Sequence, residues 1–450
     1  MTRSQITHPI TQFLFCLTLL IPGCSASNRG SEQSSLLTQT ASGNPRGDIT
    51  VWSWNIAAKA LMQATPAFER KHPGVHVHVE MTGARMQTRI MLALAAGVGA
   101  PDVASLQQTE APYFISTRQF TDLTPVAEKY RSMFPRSAWN NCTLNGRIYA
   151  IPWDLGPCAI YYKRDLFLRY GIDPNRIKTW DDYIAAGQEI LHKSGGRTKM
   201  LPLGSNDLES MFELLIEETG AQVFDGDGRI AINSAQSRQA LEIIRRMRAA
   251  GICSDVPAYS QEWMAGFNDE SIATYPGAFW LSGTIEDSST DYTSKKGNWA
   301  VFRLPSVVPG GIHVSNLGGS VLVIPAQCSN KTAAWAFVEY ALCSREGQLS
   351  LYQSEKLFPA FLPALKSPAI DARDPFFGGQ HVGSFFAEGV TDIRPLNRTK
   401  NWTEAVGYLQ QDLSHWASTG MNDSGFFHRL ELKLESRLDE PSARSGDSQQ

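Results

Sequence analysis

The chain carries none of the short motifs that mark the commoner catalytic centres. There is no G-x-S-x-G, no H-E-x-x-H and no P-loop, so acyl transfer, zinc proteolysis and nucleotide hydrolysis have no local support. Cysteine is sparse. Of seven, Cys16 and Cys24 lie near the N-terminus, and Cys142, Cys158, Cys253, Cys328 and Cys343 form an odd set without C-x-x-C spacing. That set allows at most two disulfides and argues against zinc ligation. Net charge is also small, −3, which implies no attraction to nucleic acid or to an anionic membrane surface. Beyond the N-terminus no apolar run approaches the roughly 20 residues needed to cross a bilayer. No fixed-period repeat and no heptads occur.

What is present is an ordinary globular composition: 450 residues, 42% hydrophobic and 19% charged, enough for two or three domains or two lobes. Aromatics reach 10%, with 11 Trp, a supply that fills cores but also suits a site gripping flat or amphipathic ligands. Residues 10–21 are apolar after Arg3 and read as a signal peptide over 1–23. "IPGC" resembles a bacterial lipoprotein lipobox, with Pro22 in place of the usual small or hydroxyl residue, and makes Cys24 the expected lipidation site. The Ser-, Gly-, Asn- and Gln-rich stretch 24–47 cannot bury enough area to fold and reads as a tether. Acyl chains on Cys24 would anchor it, at about 0.8 kcal/mol per buried CH2.

From Asp48 the pattern alternates strand and helix. "ITVWSW" is β-rich, 57–71 is helical up to His72-Pro73-Gly74, and "VHVHVEM" has the period of two expected of a strand. Further helices are expected at 84–96, 180–192, 208–219, 234–250, 332–343 and 403–416, with a buried strand at "GGSVLVIP". Successive β-α units imply parallel strands and an α/β architecture.

Several stretches, in order, resemble the bacterial extracellular solute-binding proteins of the sugar-binding type, the receptors of ABC importers. They are "DITVWSWN", "FERKHPGVHVHVE", "ALAAGVGAPDVASL", "NGRIYAIPWDLGPCAIYYKRDLF", "KTWDDYIAAGQEI", "FDGDGRIAINSAQSRQALEII", "SIATYPGAFW" and "LGGSVLVIPAQCSNKTAAWAFVEYALCSREGQ". Lys163 stands where the family usually has Asn or Asp, and Trp153 replaces a smaller apolar residue. The resemblance implies a two-lobe α/β periplasmic-binding-protein-like fold with a crossed hinge and an interlobe ligand cleft. Lobe one would take 48–141 plus 306–352, lobe two 142–305 plus 353–436, and 437–450 would form a flexible tail. It also implies an extracytoplasmic, monomeric receptor that closes on a sugar and delivers it to ABC permease subunits, touching the membrane only through its lipid. No catalysis, cofactor, metal or nucleic acid is expected.

Such a site needs aromatic faces and hydrogen-bonding side chains at the carboxyl ends of strands. Trp54 could stack on a sugar ring and Asn55 bond its hydroxyls, although Trp52 and Trp54 share a face and could both be core. Gln107 and Gln108 end the third strand, and Glu80 ends the second. Trp153 and Asp154 follow in "IPWDLG", where the carboxylate could accept two hydroxyls or cap a turn. Trp280 in "YPGAFWLSG" is an expected stacking face, Gly318 and Gly319 would admit a ligand close to backbone, and Asn206 and Phe361 are further candidates. Three sharper ideas fail on spacing. His76 and His78 lack a third metal ligand, Asp225 and Asp227 lack the rest of a calcium loop, and Tyr161 and Tyr162 would point to opposite faces of a strand. The alternatives are a secreted carbohydrate-active hydrolase working through two carboxylates, or a receptor for a polyamine or ferric ion.

Overall fold

The structure, a computed structural model, describes residues 44–205, 207–289, 297–421 and 424–438. In chain order, β1 (Gly47–Ser53), α1 (Asn55–Lys71), β2 (Val75–Met81), α2 (Met86–Ala96) and β3 (Val103–Gln107) alternate strand and helix. Next come β4 (Ala150–Asp154), β5 (Cys158–Lys163), α3 (Arg164–Tyr170), α4 (Trp180–Lys193), α5 (Leu208–Thr219) and α6 (Ala235–Ala249). β6 (Thr274–Ala278), α7 (Leu281–Ser288), β7 (Trp299–Arg303) and β8 (Ser320–Val323) follow. The chain then forms α8 (Lys331–Cys343), α9 (Arg345–Glu355), α10 (Trp402–Ser418) and α11 (Phe426–Leu438). The seven expected helices lie within two residues of the bounds read from sequence. Local chemistry explains the sharp ends: Thr179 and Asp182 form a capping box at α4, Ser234 caps α6, and Gly220 at φ +77° stops α5.

The first sheet has five strands in the order β2-β1-β3-β8-β4. β1 is parallel to β2 and β3, whereas β8 runs antiparallel to both β3 and β4. Edge strand β2 buries Val75 and Val77 and exposes His76 and His78, so the histidines face outward from a half-covered strand. Central β3 is buried until its last residue, as expected of a strand covered on both faces. β4 corrects the expected division of the chain. Its position after residue 142 places it with lobe two in sequence, but it completes the first sheet through pairs such as Ile151 with Leu322. Hydrophobic periodicity reports that a strand is buried, not which distant strand it joins.

The second sheet is antiparallel, β6-β5-β7. One face carries Tyr161, Tyr275, Trp299 and Val301 into the larger core, beside Phe377 and Phe386. The other presents Ile160, Tyr162, Ala300 and Phe302 to a second core built with α3, α4 and α5. Tyr161 and Tyr162 are thus held on opposite faces, and the Tyr161 hydroxyl donates to the carbonyl of Ala278 at 3.0 Å. Buried Lys163 donates to the carbonyls of Gly266 and Asp269, which accounts for the departure noted at that position. Cys142, Cys158, Cys253, Cys328 and Cys343 are free thiols. Among the described residues, no helix is long and apolar enough to cross a membrane.

Candidate ligand-binding site

Two chain crossings join the sheets and lie against each other. β4 passes into β5 through 155–157, and β7 returns to β8 through 304–319. The crossings are stitched by Leu317 N donating to Gly156 O (2.8 Å), Cys158 N to Ser315 O (2.9 Å) and Gly156 N to Asn316 Oδ1 (2.9 Å). Contact is close enough that a Cβ on Gly156 would sit 1.9 Å from Leu317 O, so only glycine fits. From α5 of the second lobe, Glu217 grips this crossing, accepting from Asn316 N at 2.6 Å and Ser315 Oγ at 3.0 Å. Burial pushes its carboxyl up to about 8, while the nearby Arg398 guanidinium pulls the other way.

The parallel pairing of β1 with β3, and the antiparallel start of β8, place Trp54, Asn55, Gln107, Gln108, Asp154, Gly318 and Gly319 along one edge of the first sheet. Gln108 is 2% exposed, its backbone N donates to Gly319 O at 2.9 Å, and its Nε2 has no partner. Asp154 is buried, and its Oδ1 also has no partner. Burial raises the Asp154 carboxyl to about 6, against hydrogen bonds from Ser320 that favour its ionised form. Gly319, at φ +106°, lies between them: a Cβ there would be 2.8 Å from Gln108 Oε1 and 2.9 Å from Asp154 O. Two buried residues that each keep an orphaned polar atom therefore flank one glycine. Leaving such groups unsatisfied typically costs about 1–3 kcal/mol each, a penalty that a hydroxyl-bearing ligand relieves.

An aromatic face borders this floor. Trp280, half-buried, packs against both cores and donates its indole N–H to Leu317 O at 3.2 Å. A Cβ on Gly318, at φ +90°, would stand 3.6 Å from the same indole nitrogen. Tyr259 lies beside Trp280, ring centroids 6.3 Å apart and planes 26° from parallel. Farther along, a cavity of about 370 Å³ opens between 112–116 of the first lobe and 225–228 and 396–400 of the second. Arg398 lines it, donates to Glu213 Oε1 at 2.5 Å, and keeps an unpartnered Nε. A larger cavity, about 640 Å³, is lined by Glu218, Arg303, His313 and Arg394, with nothing from the first sheet and no Trp, Tyr or Phe face.

A family described as bacterial extracellular solute-binding protein matches residues 63–377, well over half the chain. The chain belongs to that family. Among curated proteins it is similar to the arabinooligosaccharide-binding protein of Bacillus subtilis (strain 168), at 25% identity over 93% of each chain. It is equally similar, at 25%, to the lactose-binding protein of Rhizobium radiobacter, over 78% of this chain and 84% of that one. Among solved structures, the sugar-binding protein MalE from the phytopathogen Xanthomonas citri superposes with TM-score 0.75 at 20% identity, covering 87% of this chain and 97% of that one. The ABC transporter associated binding protein from B. animalis subsp. lactis Bl-04, in complex with beta-1,6-galactobiose, gives 0.71 at 23%, covering 87% and 97%. The fold of this solute-binding protein is thus the two-lobe α/β fold that its sequence resembles.

Within that frame, not every candidate reaches the cleft. Trp153 is 1% exposed and belongs to the larger core, its carbonyl held by Gln348 Nε2 at 2.9 Å. The register shift between Ser320 and Val321 makes Trp153 the unpaired residue of β4, and its indole turns into the core. Phe361 is likewise a core residue, packed on Phe134 with centroids 5.5 Å apart. Neither is placed to stack on a ligand. Glu80, at a strand end, pairs with Arg89 at 3.0 Å, and that guanidinium lies 3.6 Å over the Trp52 ring. Trp54 is half-buried between two core clusters, while Asn55 is exposed at φ +35° where the strand turns into α1. Asn206 and Cys24 lie outside the described residues. Sequence reasoning missed Tyr259 and Arg398, because each sits in a loop where no periodicity aims a side chain. No group of three or more metal-ligating side chains occurs among the described residues.

Proposed function

We propose that this solute-binding protein captures an uncharged sugar in the cleft between its lobes and delivers it to the permease of an ABC importer. The observation that carries the reading is the polar floor around Gly319, where Gln108 and Asp154 are buried with Nε2 and Oδ1 unpartnered, near half-buried Trp280. A sugar offers both halves of that chemistry: apolar C–H faces for an aromatic plane, and hydroxyls that donate and accept. Asn55 and Gln107 supply further neutral groups on the same edge. A polyamine would want several free carboxylates, whereas Glu213 is neutralised by Arg398. The names of the curated relatives, which bind arabino-oligosaccharides and lactose, support the same class.

Lobe closure follows if the ligand touches both sides, because only differential affinity shifts the open–closed balance. The protein acts as a monomer, without cofactor or catalysis, tethered outside the cytoplasm through lipidated Cys24. A hydrolase using two carboxylates is the competing reading. A thermal-shift and calorimetric screen over sugars, polyamines and ferric chelates decides. Sugars should raise the melting temperature and be recovered intact, and Trp280→Ala should weaken binding about tenfold, the value of an aromatic contact of roughly 1.4 kcal/mol. A response only to a cationic or metal ligand, or cleavage of the sugar, overturns the proposal.

A further inference from the structure

Five consecutive residues, 316–320, hold the candidate contacts in place. Leu317 O accepts the Trp280 indole N–H at 3.2 Å, Gly319 O accepts from Gln108 N at 2.9 Å, and Ser320 donates to the Asp154 carboxyl. Two of the five are glycines, at φ +90° and +106°, so the middle of this turn has no side chain to pack it in place. Asn316 supplies the hold instead. Its Oδ1 accepts from Gly156 N at 2.9 Å and its Nδ2 donates to Gly318 O at 2.9 Å, so one buried amide ties the two crossings and closes the turn. The backbone N–H of Asn316 donates in turn to Glu217 Oε2 at 2.6 Å, and the same oxygen accepts from Ser315 Oγ at 3.0 Å. Glu217 sits on α5 at 2% exposure. A helix packed in a core has no need of a carboxyl there, since a well-packed apolar residue avoids the cost of burying it. The two bonds to the crossing are what the residue provides.

We propose that Glu217 is a positioning residue for ligand capture: through Asn316 it holds the 316–320 turn in the conformation that presents Trp280, Gln108 and Asp154 together, without itself touching the solute. The inference rests on the sugar-receptor reading and adds to it a buried residue on which affinity depends. The route is a population. While the turn is held, the free protein is already competent to bind; once it is loose, apparent affinity falls in proportion to the competent fraction. A turn that keeps this conformation one tenth of the time binds about tenfold more weakly, with every direct contact unchanged. An uncharged acceptor is enough for the role, because the hold consists of two accepted hydrogen bonds and burial keeps the Glu217 carboxyl largely protonated at neutral pH.

Calorimetry at pH 7 with the full chain and a panel of neutral mono-, di- and trisaccharides tests this, the tightest binder serving as the probe. Glu217→Leu fills similar space without an acceptor and should weaken the probe about tenfold. Glu217→Gln keeps an acceptor oxygen and should bind within about twofold of wild type. Asn316→Ala removes the tie itself and should also weaken the probe about tenfold, which carries the test if Glu217→Leu does not fold. Ile244→Ala separates positioning from stability. It opens the same second core from α6, and should lower the melting temperature while leaving affinity unchanged. Wild-type affinity in Glu217→Leu and Asn316→Ala, a loss in Glu217→Gln as large as in Glu217→Leu, or an equal loss in Ile244→Ala overturns the proposal and leaves the receptor reading standing. Failure of the wild-type chain to bind any saccharide overturns the receptor reading itself, and this with it.

Discussion

Asp154 keeps a carboxyl under cover with hydrogen bonds from Ser320 and one oxygen unclaimed. Burial lifts its pKa from 3.8 to about 6, so between those values the folded protein holds a proton that the unfolded chain has released. The sign follows: this residue makes stability fall as pH rises from about 4 to 6. Binding responds in the opposite direction. Sugar hydroxyls donating to Asp154 favour its carboxylate, so affinity should reach its plateau by about pH 7 and drop by up to about tenfold at pH 5, one unit below the pKa. Calorimetry at pH 5 and 7.5 checks this, and Asp154→Asn should flatten the profile while lowering the plateau; an unchanged pH dependence in that variant removes Asp154 from the site. That Asp154 and Gln108 lie at strand ends on one sheet edge was legible, because the strand pattern and the placement of ligands at strand ends in open α/β sheets point there. Trp153 and Phe361 were not, because an aromatic residue near a strand end reads the same whether it stacks on a ligand or fills a core. A register shift of one residue decided the first.

The paired crossings at 155–157 and 304–319 join the two sheets, and their contact leaves no room for a side chain at Gly156. Gly156→Ala should force the backbones apart and break the Leu317 N to Gly156 O bond. A loss of about 1–3 kcal/mol is expected, in the range of overpacked sites, visible as a lower urea midpoint with little change in slope. Wild-type stability in that variant would mean that the crossings are not packed this tightly in solution. Helices were the most legible elements, since caps such as Thr179 with Asp182 and stops such as Gly220 act within a few residues. Strand partners were the least, because Ile151 finds Leu322 across most of the domain's length and nothing local encodes the meeting.

At the scale of the whole molecule, the two-lobe fold was readable from the ordered run of family-like stretches, while the assignment of β4 was not. The proposed tether belongs to this scale as well. Intact mass of the membrane-extracted protein should correspond to a chain starting at Cys24 with added acyl groups, and Cys24→Ser should leave it soluble or unprocessed. Cleavage elsewhere without acyl mass removes the anchor from the picture. Finally, β8 is supplied from residues 320–323 yet lies between β3 and β4, which precede it by some of the longest connections in the fold. Until that late segment has been synthesised, β3 and β4 each present an open edge and β4 stays apart from the rest of the first sheet. Shortened products therefore expose unpaired strands and become substrates for chaperones and proteases. For a member of an extracellular family, the same delay leaves the first sheet unfinished through most of synthesis, the stage at which a chain bound for export must still be threadable.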